Sequence, residues 1–136
     1  MTRFEGHQRK INKPAETVFS FISDFNNFQD TIPQDKIQNW QATADTCSFT
    51  VAGVGEMAMQ IVEKKPFNLI KIENQAKAKN EFMLWVQLKQ IDEQDTRLKI
   101  TFDVRLNAML KMMAKKPLQN FIGTLTDRIA ESFNQR

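Results

Sequence analysis

Alternation of apolar and polar residues between residues 37 and 106 constrains the fold of this chain more than any other feature of its sequence. Within several short runs every second residue is apolar, which places those side chains on one face of a β-strand. Turn signals separate the runs, and such short connections predict antiparallel hairpins. The turn signals are Ala44-Asp45, Gly53-Val54-Gly55, Lys65-Pro66, Lys79-Asn80 and the stretch 92–95. The apolar sets are Cys47, Phe49 and Val51; Met57, Met59 and Ile61; Phe82, Leu84, Val86 and Leu88; and Leu98, Ile100, Phe102, Val104 and Leu106.

The residues between the members of the last apolar set are all polar: Arg97, Lys99, Thr101, Asp103 and Arg105. An antiparallel sheet with this pattern packs one face against a core and exposes the other face to water.

Helical spacing replaces alternation on the N-terminal side of this region. Pro14 suits the first position of a helix because it has no N–H to lose there. Apolar residues then recur at helical spacing, and the pair Asn26-Asn27 interrupts them. We therefore predict two short helices that end at Pro33. Their apolar positions are Ala15, Val18, Phe19, Ile22, Phe25, Phe28 and Ile32.

Helical spacing also returns at the C-terminal side. We predict that Pro117 opens a long helix, and that the methionine-rich stretch 108–116 before it is a separate short helix. The apolar stripe of the long helix is Leu118, Phe121, Ile122, Leu125, Ile129 and Phe133.

The order of these elements predicts an α+β fold, β-α-α-β(5–6)-α, with about six or seven strands in one antiparallel sheet. A twisted sheet of this length curls around the long C-terminal helix, and the concave space between them favours a cavity. A chain of 136 residues is about one domain long, so we expect a single domain over residues 1–136.

Composition excludes several classes of protein. A chain with 41% hydrophobic and 26% charged residues is neither generally disordered nor fibrous. No apolar run approaches the roughly 20 residues of a membrane span, and residues 1–5 lack the apolar core of a secretory signal. The single cysteine, Cys47, cannot form an internal disulfide, which agrees with the cytoplasmic location that we expect. A net charge of +3 is too small to indicate a nucleic-acid partner.

Two segments resemble a known superfamily. Residues 11–19 followed by 24–28, and residues 106–121 with Met109, Met112 and Met113, are similar to START-like or helix-grip proteins. This superfamily includes polyketide cyclases, the birch pollen allergen and lipid-transfer domains. The resemblance implies a strand that leads into paired helices, a sheet wrapped around the last helix, and a small hydrophobic molecule as partner. Binding proteins and enzymes share this scaffold, so the resemblance does not decide between them.

The candidate ligand-binding residues are apolar side chains that would face the cavity. Methionine thioethers are flexible and polarizable, which suits an adaptable lining, although the same pattern is also typical of simple core filling. The candidates are Phe49, Met57, Met59, Leu84, Val86, Phe102, Met109, Met112, Met113, Phe121 and Leu125.

Residues suited to catalysis are scarce. His7 is the only histidine and we expect it to be exposed in the first strand, and there are no tyrosines to stabilise an enolate. Periodicity does not place Glu56, Gln87 or Thr124 in the cavity. Metal-ligand spacing is missing, and Gly53-x-Gly55 is a hairpin signal rather than a phosphate loop. We therefore predict no catalytic residue, no metal and no cofactor.

Two surface features have alternative interpretations. Lys111, Lys115 and Lys116 beside the methionines suit either an acidic headgroup at a membrane or a solvated helix start. Met83 and Trp85 fall on the polar side of their strand, which suits a partner or homodimer contact unless a bulge buries them.

The sequence thus favours a carrier or sensor that binds a lipid, an isoprenoid or an aromatic metabolite. The alternatives are a cyclase-like or isomerase-like enzyme on the same scaffold, and a protein-interaction module that uses the Trp85 surface.

Overall fold

The structure of the protein, a computed structural model, describes residues 2–32, 35, 37–52, 55–75, 81–105 and 108–135. The strands are β1 (Thr2–Glu5), β2 (Arg9–Ile11), β3 (Ile37–Ala42), β4 (Thr46–Val51), β5 (Gly55–Lys65), β6 (Leu69–Asn74), β7 (Phe82–Asp92) and β8 (Asp95–Val104). The helices are α1 (Ala15–Ile22), a 3₁₀ helix (Phe25–Phe28) and α2 (Ala108–Asn134). The predicted turn at Gly53-Val54, the turn at Lys79-Asn80, the helix end at Pro33 and the last position of the fourth apolar set, Leu106, lie outside the described residues.

All eight strands belong to one antiparallel sheet in the order β1-β8-β7-β6-β5-β4-β3, and β2 also pairs with β8. The α+β class, the curved sheet and the long C-terminal helix are confirmed. The predicted first strand is split into β1 and β2, and this split adds one strand to the expected number.

Gly6 lies at the split. Its N–H donates to the Ile100 carbonyl at 2.8 Å. A Cβ atom at Gly6 would lie 2.9 Å from Cγ2 of Ile122 and 3.1 Å from the Ile100 oxygen. Because real Cβ atoms rarely tolerate such distances, glycine allows α2 to approach the sheet closely here.

The inner face of the sheet carries the predicted apolar sets. Alternation along β4 and β7 is confirmed, with Phe49, Leu84 and the other predicted apolar residues of these strands buried. Along β8 the described apolar residues are buried as predicted. Thr101 and Asp103, which alternation places toward water, are buried too, because Gln87 and Arg3 from the neighbouring strands lie against them on the outer face. The predicted stripe of α2 is also buried against the inner face. The core therefore lies between the concave side of the sheet and α2, with α1 and the 3₁₀ helix contributing Val18, Ile22, Phe25 and Phe28.

Pro117 corrects one prediction, because it lies inside α2 rather than at its start. The preceding stretch 108–116 continues the same helix and is not a separate one. Alanine, leucine, methionine and lysine, which make up this stretch, are all strong helix formers. Their propensity outweighs the one intrahelical hydrogen bond that Pro117 cannot donate.

Candidate functional site

A cavity lies between the concave face of the sheet and α2. Its free space for a water-sized sphere is about 30 Å³. The lining side chains are hydrocarbons, one indole, one thioether and one thiol. They belong to Phe25, Phe28, Ile32, Trp40, Cys47, Phe49, Met59, Ile72, Leu84, Val86, Ile100, Phe121 and Leu125.

Aromatic contacts connect the edge of the sheet to the helix across this cavity. The Trp40 and Phe49 rings are stacked with centroids 5.6 Å apart, and the Phe49 and Phe121 rings are 5.9 Å apart. Phe25 and Phe28 meet edge to face at 5.9 Å on another side of the lining. Such ring pairs stabilise beyond their buried area, so they hold the walls in place.

A β-bulge in β3 turns Trp40 toward the cavity. Simple alternation from the buried Ile37 would place Trp40 on the opposite face of the strand. The register instead shifts between Gln38 and Gln41, and Asn39 takes a left-handed conformation with φ of 58°. The extra residue brings Trp40 onto the face of Ile37, as bulges generally do for a side chain at a sheet edge.

Trp40 is also the most accessible part of the lining. It is half-buried, whereas every other described lining residue is buried. It belongs to β3, which is an edge strand of the described sheet. Among the described lining residues, Trp40 is therefore the one with the most surface open to solvent.

Six of the predicted site residues line the cavity, and two others are buried on the inner face outside it. The lining ones are Phe49, Met59, Leu84, Val86, Phe121 and Leu125. The buried ones outside it are Met57 and Phe102. Whether any of them contacts a ligand stays a prediction.

The placement of Met109, Met112 and Met113 in the lining is wrong. Their exposed fractions are 72%, 85% and 61%. Among the described side chains of α2 the first buried one is that of Ala114, so those described before it meet solvent rather than the sheet. Periodicity cannot reveal this, because it does not say where along the helix the sheet begins.

Sequence reasoning missed Trp40 and treated Phe25, Phe28 and Ile32 as core only. The left-handed preference of Asn39 is the one signal that could have indicated the bulge. An apolar spacing of three residues, from Ile37 to Trp40, is consistent with it.

Cys47 is the one ionisable side chain among the described lining residues. Burial raises the pKa of its thiol far above the ordinary value, so the thiol stays neutral. A neutral buried thiol is a weak nucleophile. Glu56 and Gln87 are exposed and Thr124 is half-buried, all outside the lining.

His7 is exposed, as predicted, but it lies in the connection between β1 and β2. Its Nε2 atom is 2.7 Å from Oδ1 of Asp127, which also accepts a hydrogen bond from Nη1 of Arg9 at 2.7 Å. Partial burial raises the pKa of Asp127, but the Arg9 and His7 hydrogen bonds outweigh it and hold that pKa below its usual value. This cluster joins α2 to the N-terminal strands on the outside of the protein.

Across the described ranges, no three histidine, cysteine, aspartate or glutamate side chains are grouped closely enough to hold a metal ion. No described helix combines the length and the hydropathy that crossing a bilayer requires.

Trp85 lies on the outer face of the sheet and is half-buried, together with Met83. The guanidinium of Arg3 lies 5.7 Å from the centroid of the Trp85 ring and also binds Asp103. A cation held over an aromatic face is a favourable contact. The Trp85 ring is therefore partly covered by the Arg3 side chain of β1. It is less accessible to another protein than the sequence suggests.

No protein-family model matches the sequence, and no curated protein is similar to it. Solved structures are similar in fold. A protein from Thermus thermophilus is 14% identical with a TM-score of 0.77, and the match covers 96% of this chain and 95% of that one. A START superfamily protein from Mycobacterium smegmatis is 15% identical with a TM-score of 0.68, covering 98% and 97% of the two chains.

Norcoclaurine synthase from Thalictrum flavum, in complex with a transition-state analogue, is 8% identical with a TM-score of 0.73. The match covers 98% of this chain and 94% of the synthase. The chain therefore has the START-like helix-grip fold that the sequence segments resemble.

Proposed function

We propose that this chain binds a small apolar molecule in the cavity between the sheet and α2, in a carrier or sensor role. The observation that supports the proposal is a lining of apolar side chains in which one residue, Trp40, is only half-buried. A point mutant of norcoclaurine synthase, which shares the fold, is solved in complex with a transition-state analogue.

The lining favours an apolar ligand over a polar one. A polar metabolite would lose hydration on entering and would find few hydrogen-bonding groups in return, and this loss costs several kcal/mol. Lipid chains, isoprenoids and aromatic metabolites have no such requirement. The aromatic rings of Trp40, Phe49 and Phe121 favour flat or branched hydrocarbon groups among them.

Ligand binding requires the lining to move. The free space of about 30 Å³ is well below the 300–1,000 Å³ of typical ligand pockets. Trp40 is the lining side chain best placed to swing outward, because it belongs to an edge strand and is not fully buried, but its stacking on Phe49 must then break. Met59 can change shape within the cavity because its unbranched thioether has several accessible rotamers.

No described side chain of the cavity favours the enzyme alternative. A cyclase or isomerase needs a group in the cavity that transfers a proton. The described lining offers only the neutral Cys47 thiol for that role. The interaction-module alternative depended on an open Trp85 ring, and Arg3 covers that ring.

The test uses the fluorescent apolar probe N-phenyl-1-naphthylamine in a Trp85→Phe background, which leaves Trp40 as the only tryptophan. We expect saturable binding of one probe per chain, accompanied by quenching of Trp40 emission. A ligand from the cell can then be identified by native mass spectrometry after incubation with cell extract.

Matched cavity variants locate the probe. Leu125 lines the cavity and Leu88 does not, yet both are 5% exposed. Each Leu→Ala change lowers the free energy of unfolding by about 2–5 kcal/mol. Only Leu125→Ala enlarges the cavity, so we expect it alone to tighten probe binding, by on the order of tenfold. The proposal is refuted if both variants change probe affinity by the same factor. It is also refuted if neither the parent nor the two variants bind the probe saturably.

A further inference from the structure

The first turns of α2 project beyond the core of the protein. Ala108, Met109, Lys111, Met112 and Met113 are all exposed, and Ala114 is the first buried residue among the described side chains of this helix. Six residues of helix span about 9 Å. The described side chains of this projecting segment therefore have no intramolecular packing to explain their apolar character.

The same part of α2 carries an unbalanced positive charge. Lys111, Lys115 and Lys116 are exposed, and none of them forms an ion pair with a carboxylate in the described part of the chain. The sequence contains no acidic residue between Asp103 and Asp127. Lys111, in the first turn of α2, also opposes the helix dipole, so an anionic partner would relieve an unfavourable arrangement.

We propose that the start of α2, defined by Met109, Lys111, Met112, Met113, Lys115 and Lys116, docks onto the surface of an anionic lipid bilayer. Apolar side chains interleaved with lysines on one helix suit insertion between lipid headgroups, with the ammonium groups at the phosphates. This surface is separate from the cavity, and its docking does not depend on a bound ligand.

An anionic bilayer fits this surface better than a nucleic acid. The three methionines are largely exposed, and lipids rearrange around exposed apolar side chains. Stretch 108–120 contains no aromatic residue on which nucleic-acid bases could stack. Charge complementarity and the exposed apolar side chains therefore both favour lipid.

Docking at this position would bring the membrane close to the cavity. Phe121, which lines the cavity, follows Met113 by eight residues on the same helix, about 12 Å along its axis. The bilayer would thus lie near the end of the molecule where Phe121 lines the cavity.

The test measures co-sedimentation of the full chain with vesicles of phosphatidylcholine alone and of phosphatidylcholine mixed with phosphatidylserine. We expect binding to the mixed vesicles only, weakening as salt is added. The combined variant Lys111→Ser, Lys115→Ser and Lys116→Ser should bind on the order of a hundredfold more weakly. The combined variant Met109→Gln, Met112→Gln and Met113→Gln should lose roughly tenfold or more, because it removes the inserted apolar groups.

A charge-matched control separates this surface from the overall charge. Lys10, Lys65 and Lys89 are exposed on other strands, and their combined change to serine should leave vesicle binding within about twofold of the parent. The proposal is overturned if the parent does not bind the mixed vesicles, or if the two lysine variants lose vesicle affinity equally. It is also overturned if the methionine variant binds as tightly as the parent. Tighter binding of RNA than of vesicles through the same lysines would also overturn it. All substituted side chains are exposed, so thermal unfolding should confirm that each variant folds.

Discussion

Gln90 of β7 accepts a hydrogen bond at 2.8 Å, through its Oε1 atom, from the backbone N–H of Ala15, the first residue of α1. The residue before the helix is Pro14, whose side chain cannot accept a hydrogen bond, and α1 has no side-chain cap of its own. A strand side chain thus satisfies an N–H that the helix leaves free. This contact fixes the start of α1 against the sheet.

Removal of this cap should destabilise the protein. We expect Gln90→Ala to lower the free energy of unfolding by about 1 kcal/mol in a urea titration. Gln90→Glu should keep the stability, because a carboxylate oxygen can accept the same hydrogen bond and is favoured near a helix N-terminus. Lys89→Ala, at the exposed neighbouring position, should have little effect. A glutamate variant as unstable as the alanine variant would contradict the capping role.

The turn between β5 and β6 holds a residue in an unfavourable conformation. Asn68 N–H donates to the Lys65 carbonyl at 3.0 Å, with Pro66 and Phe67 between them. Phe67 is the third residue of this turn and has φ of 70°. In a type II turn this position requires a positive φ and favours glycine. Its ring meets the Phe19 ring edge to face, with centroids 5.9 Å apart. Phe67 thus combines a ring contact with Phe19 and a strained backbone, although its side chain is exposed.

Glycine should therefore be better tolerated than alanine at position 67. Both substitutions remove the ring, but only alanine keeps a Cβ atom in the left-handed region. We expect Phe67→Gly to be more stable than Phe67→Ala by about 1 kcal/mol in chemical denaturation. At the extended position Lys89 the order should be reversed, with alanine more stable than glycine. The same order at both positions would show that strain at Phe67 is negligible.

Acid should weaken the ion pair between Arg3 and Asp103 on the outer face. Two hydrogen bonds of 2.7 and 2.9 Å from Arg3 lower the pKa of Asp103 below its ordinary value of 3.8. A carboxyl with a lowered pKa in the folded state stabilises the protein fully above the pKa of the unfolded chain. That stabilisation is lost as the pH falls through the lower pKa of the folded state.

The measurement compares the parent with Asp103→Asn by urea unfolding from neutral pH down to about pH 2. The stability advantage of the parent should be constant above about pH 5 and should shrink progressively below it. Glu63→Gln serves as the control, because Glu63 is exposed and forms no ion pair with a described residue. A constant difference across the whole range would mean that the Arg3 contact does not affect the Asp103 pKa.

The regular parts of the sheet could be predicted from the sequence because local pairing determines them. β7 and β8 pair continuously from Phe82 and Val104 to Gln90 and Thr96. Each apolar residue of the two predicted sets that the structure describes is therefore buried, although Thr101 and Asp103 on the outer face of β8 are buried as well. Alternation with a period of two is enough to predict which face of a strand is buried, provided that no residue is inserted into the ladder.

The candidate site was predicted only in part because its decisive features are not local. Trp40 faces inward through a bulge whose one sequence signal is Asn39. The methionines of α2 are exposed because the helix begins before the sheet can cover it. Trp85 is covered by Arg3, which comes from a strand at the other end of the sequence. In each case a distant element of the chain, or one inserted residue, determines where the side chain lies, and the local spacing of apolar residues does not.

The pairing of both N-terminal strands with β8 affects how the chain can fold during its synthesis. Thr2 pairs with Val104 and Ile11 with Thr96, so β1 and β2 leave the ribosome before β8, the strand that pairs with them, is made. At about 5–20 residues per second, this delay lasts from several seconds to about 20 seconds. During that time Phe4 and Ile11, which are buried in the folded protein, remain open to other chains. The high contact order predicts slow folding, with a waiting period in which a chaperone could act.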